Sequence, residues 1–397
     1  CANVIYISVK SNFLEGKMGP KWLLCGLYSA FLEMFGADVG KNCLYLQSVA
    51  YFTEWSEMRT KKVSIYDIAQ QLGVSTSTVS RALQNNPAIS AKVRERVRET
   101  AEAMGYKPNL FAVNLQRGTT RTIGVVVPMV SRNFFSMAID GIEEAASQRG
   151  YDVMIFQSRN ERVREERILN SFLNGKVDGV IASLASEGGD YAHYRALSRY
   201  GTPLVLFDRY APGLDAGTVL LDDYRGAFDT VEHLIGQGCR RIFHYAGLQQ
   251  VSIWQNRRKG YEDALRQHGI EPAPDWITEG ATTEEGGYQV MERLFASGKD
   301  LPEAIFFAGD YAALGAFRSM REHGVRVPED VALAGFANEP FCELITPSFT
   351  SVEQFGYRMG NTAAQMLLDK LDGAPYMDVV ISPRLIVRDS SQWARGK

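Results

Sequence analysis

The sequence predicts an α/β protein: two doubly wound parallel sheets, preceded by a small all-α helix-turn-helix headpiece. Three observations lead there. From Thr122 onward, eight short apolar runs alternate with amphipathic stretches, the order expected of parallel strands joined by crossover helices. Just upstream, "SIYDIAQQLGVSTSTVSRALQNNPAIS" holds two short helical periods split by a glycine. Charge divides between these parts as well: residues 58–118 carry ten Lys/Arg against four Asp/Glu, and residues 119–397 carry 29 against 37. A basic module joined to an acidic body implies that one part alone meets a polyanion.

The totals bound the rest. A chain of 397 residues, 45% hydrophobic and 22% charged, has apolar material for about two or three domains. Cys1, Cys25, Cys43, Cys239 and Cys342 show neither a CxxC pair nor His-flanked metal spacing, and their odd number speaks against a closed disulfide framework. A reducing compartment, the cytoplasm, is expected. No apolar run reaches the ~18 residues that would cross a bilayer. The nearest, Trp22 to Leu32, mimics the core of a signal peptide.

The expected organisation is a leader (1–57), a basic helix-turn-helix headpiece (58–106), a linker (107–120) and an α/β body (121–390). The leader keeps no sustained apolar period, and Met58 then opens a basic stretch. Met58 is therefore read as the natural start, with a genuine small N-terminal extension as the alternative.

Within the headpiece, Ser64 and Asp67 read as a capping pair for a helix running to Leu72, stopped by Gly73. Ser75 caps a second helix, Thr76 to about Leu83, with Val74 and Val79 facing inward. Thr76, Ser77, Ser80 and Arg81 point away. Short uncharged hydroxyls let a helix backbone sit deep in a major groove, its first residues reaching base edges. Arg81 could fork onto a guanine, while Tyr66, Ser75 and the first-turn amides suit phosphate oxygens. A third helix after Ser90 has Val93, Val97, Ala101 and Met104 on one face, leaving Arg94, Arg96 and Arg98 to solvent.

The linker "YKPNLFAVNLQRG" is too short for an independently stable helix. Its Ala112 and Leu115 share a side, Asn109 lies at its start, and an exposed Leu115 suits a wedge in a minor-groove step. In the body the apolar runs are "TIGVVVP", "YDVMIFQ", "VDGVIAS", "PLVLFD", "TVLLD", "RIFHYAG", "EAIFFAGD" and "VALAGF". Helices are expected over Phe135–Arg149, Glu161–Asn174, Arg225–Gln237 and Gln255–His268, and a ligand crevice lies at the strand C-termini of such sheets.

Taken together, the helix-turn-helix stretch, "MGYKPNLFAVNL" and "TIGVVVP" resemble the lactose/galactose repressor (LacI/GalR) family of bacterial transcription regulators, from about Val63 to Arg388. The resemblance implies that Thr76, Ser77 and Arg81 read bases and that Leu115, with Ala112 beside it, is the hinge-helix wedge. It implies a periplasmic-binding-protein-like body. The first subdomain would span about Arg121 to Leu221 plus a segment near Thr350 to Gly373. The second would take Asp222 to Pro347 plus the C-terminal strands.

A small effector, a sugar by family habit, belongs in the cleft between them. Arg257 and Asp310 are the first polar contacts expected, followed by Phe134, Phe135 and Asp222. Asn338 stands where the family often has an Asp-containing turn, which makes transfer of any member's effector unsafe. A homodimer on a near-palindromic DNA operator is implied.

Catalysis finds no support: GxxxxGK, HExxH, GxSxG and CxxC are all missing. The five scattered histidines, His193, His233, His244, His268 and His323, are expected at the surface or at helix ends rather than as ligands. No cofactor or metal is expected. Two rivals remain, an exported sugar-binding protein with residues 1–57 as its signal and an adaptor whose basic module meets a protein.

Overall fold

The structure, a computed structural model, describes residues 63–106, 119–185 and 189–393. The expected leader and the hinge positions Asn109, Ala112 and Leu115 lie outside the described residues. Two compact units are present, and each is described by itself.

The first unit contains α1 (Ile65–Leu72), α2 (Thr76–Leu83) and α3 (Ala91–Ala103). Both Ser64 N (2.8 Å) and Ser64 Oγ (2.7 Å) donate to Asp67 Oδ2, so the expected capping pair opens α1. Gly73 ends it at φ 64°, a left-handed conformation that glycine adopts without a Cβ penalty. Ile68, Ala69, Val79, Ala82, Val97 and Ala101 form the core of the unit. Arg94 is half-buried rather than left to solvent, and the exposed Arg98 also finds a partner. Arg94 Nη1 donates to the carbonyls of Asn85 (3.5 Å) and Asn86 (3.3 Å), and Arg98 Nη2 donates to Asn85 Oδ1 (2.8 Å). They fasten the loop between α2 and α3, where Asn85 takes φ 55°.

The second unit has two parallel sheets. The first contains β1 (Thr122–Val127), β2 (Asp152–Gln157), β3 (Gly179–Ala182), β4 (Leu204–Phe207) and β5 (Gly217–Leu221). Its helices are α4 (Asn133–Gln148), α5 (Arg162–Gly175) and α6 (Ala192–Arg199). The chain then passes through α7 (Asp223–Gly236), β6 (Ile242–Tyr245), α8 (Ser252–Gln267), β7 (Ile277–Thr278), α9 (Glu284–Ala296), β8 (Ala304–Phe307), α10 (Asp310–Glu322) and β9 (Ala332–Ala334). After α11 (Phe341–Leu344) come β10 (Ser351–Glu353), α12 (Gly356–Leu371), β11 (Asp378–Ile381) and β12 (Arg384–Ile386).

All eight apolar runs are strands. The sheet orders are β11-β5-β4-β3-β1-β2 and β7-β6-β8-β9, with β10 and β12 forming a separate antiparallel pair. One of the C-terminal strands departs from expectation: β11 joins the first sheet, Asp378 opposite Thr218 and Ile381 opposite Leu221. After α12 has packed on α4, the nearest open ladder is the edge of β5, and pairing there satisfies its backbone groups. Thr119 and Thr120, expected in the linker, also belong to the body. Thr120 N and Oγ1 donate to Asp178 Oδ1 (2.7 and 2.9 Å), and Thr119 Oγ1 donates to Asp178 Oδ2.

One apolar cluster runs through both lobes, from Val125, Ile181 and Phe207 to Val231, Phe306 and Phe336. Of the histidines expected at the surface or at helix ends, His193 opens α6 and only His244 is at neither. His244 lies in β6, fully buried and stacked against Phe306 and Tyr261, each 4.7 Å away, and burial lowers its pKa to about 3. His193 is buried with Nε2 3.0 Å from Glu165 Oε2. Cys239 and Cys342 are both buried, and Cys239 Sγ donates to Glu303 O (3.9 Å). Among the described residues no helix is long and apolar enough to cross a membrane, and no group of three His, Cys, Asp or Glu side chains could hold a metal ion.

Candidate nucleic-acid interface and effector cavity

In the headpiece, helix capping decides what the second helix presents. Ser75 Oγ accepts from Thr78 N (3.1 Å) and lies 2.8 Å from both Ser77 Oγ and Thr78 Oγ1. Its hydroxyl is thus committed to starting α2, and a phosphate at this end would meet the free first-turn amides. Ser77 and Arg81, one turn apart, are exposed, whereas Thr76 and Ser80 are half-buried. Tyr66 on α1 is 71% exposed, unusual for an aromatic side chain without an external partner. Val79 and Ala82 on the opposite side of α2 are buried. The helix therefore divides into a small apolar seam and a hydroxyl- and guanidinium-bearing outer face.

In the body, a cavity of about 220 Å³ opens between the two lobes at the strand C-termini, where ligands of open α/β sheets bind. Four of the expected effector residues line it: Phe134, Phe135, Arg257 and Asp310. Phe134 and Phe135 open α4 and meet edge to face at 5.1 Å, and Phe135 packs likewise on Phe207 at 6.2 Å. Arg257 is buried on α8. Its Nε and Nη2 lie 2.8 and 2.7 Å from Asp223 Oδ1, its Nη1 donates to Ala308 O (2.6 Å), and its guanidinium stacks 3.6 Å from the Phe336 ring centroid.

Asp310 is buried with both oxygens engaged. Ser351 Oγ donates to it (2.7 and 2.9 Å), as does Glu339 N (2.9 Å). A Cβ at Gly335 would come within 2.0 Å of Asp310 Oδ1, so only glycine admits this carboxylate so close to the backbone. Burial raises the pKa of Asp310, while these donors hold it down.

Two expected residues are not in the cavity. Asp222 Oδ1 accepts from Arg225 N (2.9 Å) as the N-cap of α7, and its neighbour Asp223 supplies the carboxylate that holds Arg257. The Asn338 amide is spent on the connection between lobes: Nδ2 donates to Glu353 Oε2 (2.7 Å) and Oδ1 accepts from Arg388 Nη2 (2.9 Å). Asn338 lines an adjacent surface cleft with Glu353 and Gln354 instead.

The cavity also holds residues that the sequence reading passed over. Asp208 and Arg209 follow β4, Asp208 at φ 63°. The signal was present, since "PLVLFD" ends in a carboxylate at a strand C-terminus just as "AIFFAGD" does. Ser183 Oγ donates to Asp208 Oδ2 (2.9 Å), and Arg209 Nη1 donates to Asn160 Oδ1 (2.6 Å) and Leu184 O (3.1 Å). Burial raises the pKa of Asp208 and lowers that of Arg209.

Opposite contributions cross the cleft. Arg209 of the first lobe lies 5.5 Å from the ring of Trp254 of the second, and Arg132 lies 3.8 Å from the ring of Tyr311. Glu339 is pushed up to about 7 by burial first and by Asp310 second. Asp223 is raised to about 6 by burial, against the pull of Arg257.

These parts define a class: a two-lobed small-molecule-binding body carrying a helix-turn-helix unit. Family comparison agrees. Residues 64–109 match the model of the bacterial regulatory proteins of the lacI family, and residues 231–391 match the periplasmic binding protein-like domain.

The HTH-type transcriptional repressor CytR of Escherichia coli is 34% identical over 325 residues, covering 80% of this chain and 93% of that protein. Catabolite control protein A of Priestia megaterium is 33% identical, covering 77% and 91%. Among solved structures, the lac repressor dimer bound to operator and the anti-inducer ONPF is similar with a TM-score of 0.74 at 25% identity, covering 84% of this chain and 100% of that one. The CelR–cellobiose complex is similar with a TM-score of 0.63 at 29% identity, covering 83% and 100%.

The chain belongs to the LacI family of bacterial regulatory proteins, and it is a DNA-binding transcriptional regulator rather than an enzyme.

Proposed function

We propose that the protein is a cytoplasmic repressor that binds a near-palindromic operator as a homodimer and answers to a small sugar in the cavity between its lobes. The observation that carries this is the presence in one chain of a polar recognition helix over a closed apolar core and of a ligand-sized cavity lined by rings and buried charges.

Thr76, Ser77, Ser80 and Arg81 would read base edges, with Tyr66 and the capped start of α2 at Ser75 on the backbone. Asn109, Ala112 and Leu115 would form the minor-groove element. In the cavity, Arg257 and Asp310 set the polar geometry, while Phe134 and Trp254 offer faces to the C–H surface of a sugar. Both Arg257 and Asp310 are already bonded within the protein, so they act on the ligand with their remaining hydrogen-bonding capacity and by shaping the wall.

One headpiece spans too few base pairs for useful specificity, so two half-sites and a two-fold dimer follow. Exposed apolar side chains supply a surface for pairing: Met154, Ile155 and Phe156 along edge strand β2, and Leu344, 81% exposed. Ligand that favours one arrangement of the lobes would change the spacing of the two linkers and so the operator affinity. The operator-bound lac repressor dimer and the CelR–cellobiose complex support both halves of this reading.

Selection of random duplexes by the purified protein, with and without added sugars, tests it. A symmetric consensus whose recovery changes with one sugar is expected, and no sequence preference at moderate salt would refute it. Leu115→Ala should sharply reduce operator binding in a gel shift with an unchanged circular dichroism spectrum.

A further inference from the structure

Helix α4 breaks a local rule at its start. Its N-cap position is Arg132, which makes no side-chain capping bond, and its first turn carries no acidic residue. Helix starts ordinarily recruit Ser, Thr, Asp or Asn to bind their unpaired amides, and their partial positive charge disfavours a cation. The segment therefore supplies no cap of its own.

The missing partners come from the other lobe. The Glu339 carboxyl accepts from Asn133 N, and the charges of Glu339 and Arg132 attract. The Arg132 guanidinium lies 3.8 Å from the centroid of the Tyr311 ring, which meets Phe341 edge to face at 5.3 Å. Arg132 and Asn133 open a helix of the first lobe, whereas Tyr311 on α10, Glu339, and Phe341 on α11 belong to the second.

Glu339 is fixed in this position by its own backbone and by the turn before it. Its N–H donates to Asp310 Oδ2 (2.9 Å), and its carbonyl accepts from Cys342 N (2.9 Å). Ala337 and Asn338 take φ of 125° and 50°, conformations that residues other than glycine keep only where their surroundings hold them. Ala337 N donates to Val352 O (3.1 Å), and Glu353 and Arg388 hold the Asn338 amide.

We propose that Glu339 is an interlobe latch: it caps α4 from the opposite lobe, so that parting the lobes leaves α4 uncapped and Glu339 in water, and a proton on Glu339 favours the closed arrangement. Its surroundings set the direction of the proton effect. With the lobes closed, burial first and Asp310 second raise Glu339 to about 7, against the pull of Arg132 and the Asn133 amide. The remaining titratable neighbour, the Cys342 thiol, is kept neutral by burial. Parting the lobes ends the burial, and Glu339 returns toward the ordinary 4.5. The closed arrangement thus holds a proton between these values and weakens as pH rises through 7. This latch operates whatever ligand fills the cavity.

Hydrogen exchange at the Asn133 amide, in the full chain without ligand and with rates corrected for the intrinsic effect of pH, tests this. Glu339→Ala should speed exchange there about fivefold at pH 6, while Ile142, in the middle of α4, keeps its protection. In the unaltered protein, protection of Asn133 should fall at least about tenfold between pH 5.5 and 8.5. Glu339→Gln keeps an acceptor oxygen and cannot ionise, so its protection should stay flat with pH, and it carries the test if the Ala variant does not fold. Small-angle scattering should show a larger radius of gyration at the higher pH for the unaltered protein and no such change for Glu339→Gln.

Unchanged exchange at Asn133 in Glu339→Ala overturns the latch, as does an equal loss of protection at Ile142, which would mean general destabilisation. Protection or a radius unmoved by pH in the unaltered protein overturns the proton linkage, as does a Glu339→Gln variant that keeps the slope.

Discussion

The headpiece and the cavity solve opposite recognition problems with opposite placements of charge. Around α2 the groups proposed to meet DNA are at the surface: Ser77 and Arg81 are exposed, and Ile68, Val79 and Val97 form an apolar core beneath them. In the cavity, Asp208, Arg209, Arg257, Asp310 and Glu339 are all less than a tenth exposed and are held by one another and by backbone groups. A polyanion brings its own charge to an exposed face, so counterion release drives binding and little has to be arranged in advance. A small ligand cannot supply that much energy, so the wall that meets it must be ordered and charge-balanced beforehand. In the first region, recognition can be altered without loss of stability; in the second, the two are tied together.

The sharpest test is Asp223→Ala, which leaves the Arg257 guanidinium buried without its carboxylate. A loss of about 3–5 kcal/mol is expected, seen as a lower melting temperature of the body. Hydrogen-exchange protection of α1 to α3 should not change. If the body melts as before, its charges are less tightly coupled than the comparison requires.

Next in size, Ile68→Ala should cost the headpiece about 2–4 kcal/mol through the cavity it creates. DNA binding should then fail at a lower temperature while ligand binding persists. Loss of ligand binding would break the separation between the two regions.

Glu339 gives a pH signature confined to the body. Its folded pKa of about 7 lies above the ordinary 4.5, so the folded form binds more protons in that window. Stability should therefore be full below about pH 4.5 on this account and fall by about 2 kcal/mol as pH rises toward 7. Glu339→Gln should flatten that slope in urea titrations at several pH values.

The smallest effects belong to the exposed face. Arg81→Ala should weaken binding to the selected operator by about 1–3 kcal/mol and relax preference at one base pair. Its melting temperature should stay the same, and a matching loss of stability would show that Arg81 supports the fold. Ser75→Ala should reduce the stability of α2 by about 1 kcal/mol, measurable as faster amide exchange at Thr78.

The headpiece was legible in the sequence because its determinants are local. Ser64 reaches Asp67 and Ser75 reaches Thr78 within one turn, and the 3.6-residue period of Val93, Val97 and Ala101 marks the inner face of α3. Even there the loop contacts of Arg94 and Arg98 escaped, because their partner loop at Asn85 is visible only once the chain has turned back. Strand positions in the body were legible for the same reason, since each apolar run carries its own signal.

Cavity membership was not local. Asp222 and Asp223 are adjacent, yet helix geometry turns one to cap α7 and the other to Arg257, 34 residues away. Asn338 looked like a cleft residue by its place after β9, but Arg388 and Glu353 claim its amide. Asp208 and Arg209 carried the same strand-end signal as Asp310, and only the approach of Trp254 from the other lobe makes them part of one wall.

By itself, then, the sequence determined the helices, most of the strands and the polar face of α2, because hydrogen bonds within a turn and side-chain periodicity depend on near neighbours. Which buried charges meet, which strand closes the first sheet and where the ligand space lies were decided by tertiary structure. Those outcomes need chain segments far apart in sequence to come within a few ångströms, and no local pattern encodes that distance.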